Sequence, residues 1–168
     1  MNKNTGFTLI EVLIAMLVLA VGLLGLAGLQ ATSLKNNQSA YNRSQATQLA
    51  YDLADRMRAN VAGITTYTAI TPISTAVAQA DCLTVSTTCT PADMAQSDLY
   101  EWNLAVTATL PSGAVGTLAV AAGLFTITIN WDDNRDGDVD GNGGALDGDT
   151  DVDGDTDDDP FFQTSFKL

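Results

Sequence analysis

Residues 1–30 read MNKNTGFTLIEVLIAMLVLAVGLLGLAGLQ, a short polar leader with Lys3 followed by a predominantly apolar run from Phe7 to Leu29. As an α-helix rising about 1.5 Å per residue, this run of 23 residues reaches roughly 35 Å, enough to cross the hydrocarbon core of a bilayer. A secretory signal places its small residues after the apolar run, for cleavage there. Here Gly6 precedes the run, so a cut behind it leaves the helix on the mature protein. The stretch therefore reads as a membrane anchor that survives processing, with everything downstream tethered to it.

One acid, Glu11, lies inside the run, the fifth residue counted from Phe7. A carboxylate at bilayer depth is costly unless paired, and an ionisable residue there is a functional candidate. If the chain is cut after Gly6, Phe7 supplies a new α-amino group. Glu11 of one subunit then neutralises the Phe7 terminus of a neighbour in an assembly. The alternative is a Glu that snorkels to the headgroups at a helix end. Gly22, Gly25 and Gly28 recur every third residue with no Pro in the run; they either permit close helix approach or local unwinding, or are simply tolerated in a membrane helix.

Gly6-Phe7-Thr8-Leu9-Ile10-Glu11-Val12 resembles the prepilin signature of type IV pilins and type II secretion pseudopilins. The resemblance implies that prepilin peptidase cleaves between Gly6 and Phe7 and that the new Phe7 terminus is N-methylated. It further implies that Glu11 is the assembly carboxylate and that the helix packs against other pilins in a filament core. Major pilins commonly carry a Pro in this helix, and this chain departs from them there.

The net charge is −13, yet thirteen of the twenty acids are Asp residues within 132–159, beside a single Arg. The remainder is nearly neutral, so this is an ordinary chain with an acidic insertion and no basic patch for nucleic acid. With no His anywhere, the usual general base is missing, and the remaining acids are scattered with no nucleophile beside them. An enzyme is not expected.

From Gln30 to about Asn60 the helix should continue as an amphipathic rod, because Ala46, Leu49, Ala50, Leu53 and Met57 follow helical spacing. Val61 to Ala80, rich in Thr, Ala and Ile and broken by Gly63 and Pro72, reads as a connecting loop with one short strand. Cys82 and Cys89 are the only cysteines; an anchor that puts the head outside the cytoplasm exposes them to oxidising conditions, and a disulfide is expected. Thr90-Pro91-Ala92-Asp93 has the form of a helix start, and Ala95, Leu99, Trp102, Val106 and Leu110 carry the helix to Pro111. Thr117–Ala121 and Leu124–Trp131 read as strands, the second alternating Phe125, Ile127, Ile129 and Trp131 with Thr126, Thr128 and Asn130. The C-terminal FFQTSFKL alternates likewise and should pair antiparallel with its predecessor across the insertion.

The expected fold class is α+β: a long N-terminal membrane-spanning α-helix whose C-terminal half packs on a small antiparallel β-sheet head. Its parts are a leader (1–6), a transmembrane or filament-core helix (7–29), its amphipathic continuation (30–60) and a head (61–168) carrying the insertion (132–159). The order of the head blocks, from Cys89-Thr90-Pro91-Ala92-Asp93 through Leu110-Pro111-Ser112-Gly113 to Thr126-Ile127-Thr128-Ile129-Asn130-Trp131, resembles PilV-type minor pilins. That resemblance implies a low-abundance subunit that primes pilus assembly with other minor pilins. It would be held in the inner membrane, head in the periplasm, before passing to the surface pilus. The runner-up readings are a type II secretion pseudopilin and a tethered calcium-dependent adhesion subunit.

Within the insertion, Asp136-x-Asp138-x-Asp140-Gly141 followed by Asp147 matches a calcium loop with Asp in place of the closing Glu. Alternate carboxylates in a tight loop point inward and the Gly permits the bend, so Asp136, Asp138, Asp140, Asn142 and Asp147 are the candidate ligands of Ca2+. Overlapping starts at Asp132 and Asn134, and at Asp149, Asp151 and Asp153, lack an acid at the twelfth position. The alternative is a solvated, disordered Asp/Gly loop.

Overall fold

The computed structural model describes residues 8–82, 89–111, 113–133 and 161–168. Helix α1 spans Leu9–Ala59 and runs through Gly22, Gly25 and Gly28 without interruption. The chain divides into two compact units, residues 1–40 and 41–168. In the first, α1 is apolar and bare: its most apolar 18-residue window has a mean hydropathy of 2.8, and none of that window is buried. A Cβ at any of its three glycines would meet nothing within 4 Å.

In the second unit the end of α1 turns Ala46, Ala50, Leu53, Ala54 and Met57 into the core. Three of the five are alanines, and short side chains there let neighbouring elements come close to the helix. After α1 the chain makes a 3₁₀ turn at Val61–Gly63, a short helix α2 (Ile64–Ala69) and a second 3₁₀ turn at Ile73–Thr75. The loop with a short strand expected over Val61–Ala80 is thus helical instead. The reason is tertiary. Tyr67 is fully buried, and a Cβ on Gly63 would overlap the Pro91 carbonyl, so the segment is pressed onto the start of the next helix. A hydrophobic pair such as Ile64 and Tyr67 spans too few turns to show a period.

Helix α3 runs Pro91–Thr109. Thr90 caps it: its Oγ1 accepts from the Asp93 N–H at 3.2 Å, while the Asp93 carboxylate accepts from the Thr90 N–H at 3.2 Å, a reciprocal capping box. Asp93 is held below the usual carboxylate range by the Thr90 hydroxyl and then by its backbone N–H. One face of α3, Ala95, Leu99, Trp102 and Val106, is buried against α1 and the sheet.

The sheet has the order β1-β2-β3, all antiparallel, with β1 at Val115–Ala121, β2 at Leu124–Asn130 and β3 at Phe161–Phe166. Phe125, Ile127 and Ile129 of β2 lie opposite Phe166, Thr164 and Phe162 of β3 and fill the core side. The Phe125 and Phe166 rings stack with centroids 5.7 Å apart. On the other side the pairs are polar: the Thr126 and Ser165 hydroxyls bond at 2.9 Å, and Gln163 Nε2 donates to Thr128 Oγ1 at 3.1 Å. The expected alternation and antiparallel pairing of the C-terminal strand are both found. β1 begins two residues before the expected start, and Trp131 lies just past the end of β2 while remaining wholly buried.

Candidate functional site

The anchor motif is described from Thr8 onward; Gly6 and Phe7 lie outside the described residues. Thr8 precedes the first residue of α1, and its Oγ1 accepts from the Glu11 N–H at 3.4 Å while its carbonyl accepts from the same N–H at 3.1 Å. Thr8-Leu9-Ile10-Glu11 therefore has the sequence of a capping box and makes its forward hydrogen bond. Sequence inspection did not single out this pattern, although Thr-x-x-Glu ahead of an apolar run is its signature. The consequence is electrostatic: Glu11 sits in the first turn, where a helix favours negative charge. Its side chain is exposed, at the head of a stripe that continues through Val12, Ala15, Met16 and Leu19 along one flank of α1. It is the only charged residue from Phe7 to Leu29, so the helix presents one carboxylate on an otherwise apolar surface.

In the head, α1 and α3 are clamped by Arg56. Its guanidinium reaches Asp52 at 2.9 Å, Asp98 at 3.2 Å and Glu101 at 2.9 Å. Partial burial works against the cation, but hydrogen bonds to Glu101, Asp52 and Asp98, together with the charge of Asp52, outweigh this and hold its pKa above the ordinary arginine value. The second oxygen of Asp98 accepts from the Tyr67 hydroxyl on α2. Burial first, and then the Asp98 hydrogen bond, raise the Tyr67 pKa. This group joins three helices, and its role is to fix the head. Sequence reading missed it because Tyr67 and Asp98 are 31 residues apart, and Arg56 and Asp98 42.

The expected disulfide is present between Cys82 and Cys89, with Cα atoms 5.0 Å apart. It closes the segment that leads into Thr90 and the capped start of α3.

Of the candidate calcium ligands, Asp132 alone falls among the described residues; Asn134, Asp136, Asp138, Asp140, Asn142, Asp147, Asp149, Asp151 and Asp153 lie outside them. Asp132 is 2% exposed, and the adjoining Asp133 accepts from Nδ2 of the buried Asn42 on α1 at 3.0 Å. The root of the insertion is therefore built into the head, between β2 and α1. Among the described residues no group of three or more His, Cys, Asp or Glu side chains is arranged to hold a metal ion.

Two family matches adjoin along the chain: the prokaryotic N-terminal methylation motif over residues 1–27, and the family described as Type IV pilin Tt1218 over residues 28–100. No curated protein and no solved structure matches significantly. The methylation motif covers the leader, Gly6, Phe7 and Glu11; the pilin match takes in the rest of α1, α2, both cysteines and the first half of α3. With a bare apolar helix ahead of a small α+β head, these matches identify the chain as a member of the type IV pilin superfamily, a membrane-anchored filament subunit that assembles into a surface pilus.

Proposed function

We propose that this pilin is a minor subunit of the PilV type that helps prime pilus assembly and binds calcium through its acidic insertion. It waits in the inner membrane with its head in the periplasm, is cut by prepilin peptidase between Gly6 and Phe7, and enters the filament through α1. Its work is structural, without a catalytic site. The observation that carries the assembly role is the lone Glu11 carboxylate on a bare apolar helix. Buried among neighbouring helices, such a charge calls for a cationic partner, and the Phe7 α-amine is one that cleavage creates. The minor-pilin assignment is supported by the order of the head blocks from Thr90 to Trp131. The calcium reading is supported by the Asp136-x-Asp138-x-Asp140-Gly141 spacing, where thirteen carboxylates in one segment repel one another until a divalent cation relieves them.

Deleting the gene and counting surface pili tests the assignment. Loss of pili, restored by the wild-type chain but not by Glu11→Ala, is the expected result. Normal piliation with failed secretion would make the chain a type II pseudopilin, and normal piliation with failed attachment alone would make it an adhesion subunit.

A further inference from the structure

Asn42 is the first residue along α1 to be buried, and it leads a stripe continued by Ala46, Ala50, Leu53 and Met57. An amide at the head of an apolar stripe is costly unless bonded, and an alanine there would extend the stripe without that cost. Asn42 is 4% exposed, and its Nδ2 donates to Asp133 Oδ1 at 3.0 Å, a bond strengthened by the acceptor's charge. Further along the same helix the Leu49 carbonyl accepts from Trp102, and Arg56 reaches Asp98 and Glu101. These ties fall seven residues apart, about two turns, and so lie on nearly one face of α1. Those at Leu49 and Arg56 go to α3. The tie at Asn42 goes instead to the segment that leads out of β2, where Trp131 and Asp132 are buried and Asp133 is half-buried.

We propose that Asn42 is a positioning residue of the calcium loop, and that its bond to Asp133 couples the bound ion to α1. Asp133 stands three residues before Asp136, the first ligand of the proposed loop. Three residues of chain span at most about 10 Å, so fixing Asp133 confines where Asp136 can lie. In the empty loop the carboxylates repel one another and strain its root; a divalent cation relieves that repulsion and leaves Asp133 in place for Asn42. Calcium therefore tightens the turn of α1 at which the helix begins to pack on the head, and the helix in return holds the entry to the loop. This inference rests on the calcium reading above and goes beyond it by naming the element that the ion controls, which is the helix that enters the filament.

The test is amide exchange on the full chain in detergent, with and without saturating calcium chloride, beside calorimetry that measures uptake. Residues at the edge of a packed helix exchange through local opening, so the effect is read there. In the wild type calcium should slow exchange over residues 42–50 at least about fivefold, while the first turn of α3, held by the Thr90 cap, should change less than about twofold. Asn42→Ala, which extends the alanine stripe, and Asn42→Asp, which keeps the shape and removes the donor, should both lose this slowing. Both should also weaken calcium by a similar factor, because coupling between two sites is reciprocal. Calcium uptake by the wild type without slowing over 42–50, or full slowing retained in either variant, would overturn the coupling and leave the calcium reading standing. The wild-type comparison alone can refute the coupling, whatever the variants do to folding. No calcium uptake by the wild-type chain would overturn both.

Discussion

Trp102 of α3 donates its indole N–H to the Leu49 carbonyl in the C-terminal part of α1 at 2.7 Å, and the opposite edge of its ring lies where a Cβ on Gly116 of β1 would be. A single side chain thereby fixes the distances between two helices and the sheet. The carbonyl of Leu49 lies within a helix, so the bond adds to the backbone ladder there rather than replacing part of it. Trp102 itself is wholly buried, and its N–H has few other places to go. Gly116→Ala should destabilise the head by about 1–3 kcal/mol, because the new methyl must displace a ring packed between α1 and β1. Trp102→Phe should cost about 2–4 kcal/mol, combining lost ring volume with a lost hydrogen bond. Urea unfolding of the full chain in detergent, followed by near-ultraviolet circular dichroism, measures both; an unchanged midpoint for Gly116→Ala would mean the ring has room to move.

Elements with local punctuation were legible from the sequence. Thr90, Pro91 and Asp93 start α3, Pro111 follows its end, and the two-residue alternation from Phe125 to Trp131 marks β2 before any contact is known. Elements specified by distant partners were not. Nothing near Gly63 announces that it must approach Pro91 closely, and Tyr67 counts as a core residue only once Asp98 receives its hydroxyl. The anchor is legible for the opposite reason, since none of its most apolar window is buried within its own chain and its composition alone marks it. At the insertion, the spacing of carboxylates was visible, whereas the bond from Asn42 to Asp133 joins residues 91 apart and has no sequence signature.

The β1–β2 hairpin turns at Ala122 and Gly123, both with positive φ, 50° and 75°. Two consecutive left-handed residues between antiparallel strands form the turn that favours Asn-Gly. Gly adopts this conformation freely, while Ala pays a steric penalty of about 1 kcal/mol for it. Ala122→Asn should therefore stabilise the head by about 0.5–1 kcal/mol. Gly123→Ala should do the reverse. Neither position packs against the core, so thermal melts of the two variants isolate the turn; a lower melting temperature for Ala122→Asn would contradict this geometry.

Tyr67 supplies a pH dependence with a definite sign. Its folded pKa is raised, first by burial and then by the Asp98 hydrogen bond, above an unfolded value near 10. The unfolded chain therefore loses this proton first as pH rises. The contribution is complete below the unfolded pKa and declines as pH climbs from there toward the folded value. The head should hold its stability from neutral pH to about pH 9 and lose it steeply above pH 10. Tyr67→Phe should lower stability at neutral pH by about 1–3 kcal/mol, because the Asp98 carboxylate loses a donor, and should flatten the alkaline limb. Unfolding free energy measured from pH 7 to 11 for both proteins tests this; parallel curves would show that Tyr67 does not govern the alkaline loss.

The Cys82–Cys89 bridge encloses a short loop immediately before the α3 cap. Chain-entropy reasoning for a loop of about eight residues gives roughly 2–3 kcal/mol of stabilisation, mostly by restricting the unfolded chain. The bridge also limits how far Thr90 can stray from its place over the first turn, so its loss should loosen the capping box as well as the loop. Paired Cys82→Ser and Cys89→Ser substitution should lower the unfolding midpoint by that amount. Amide exchange should accelerate first at Asp93 and Met94, whose N–H groups bond to Thr90, before any change reaches β2. Exchange that quickens equally across α3 and the sheet would show instead that the bridge acts on the whole head and not through the cap.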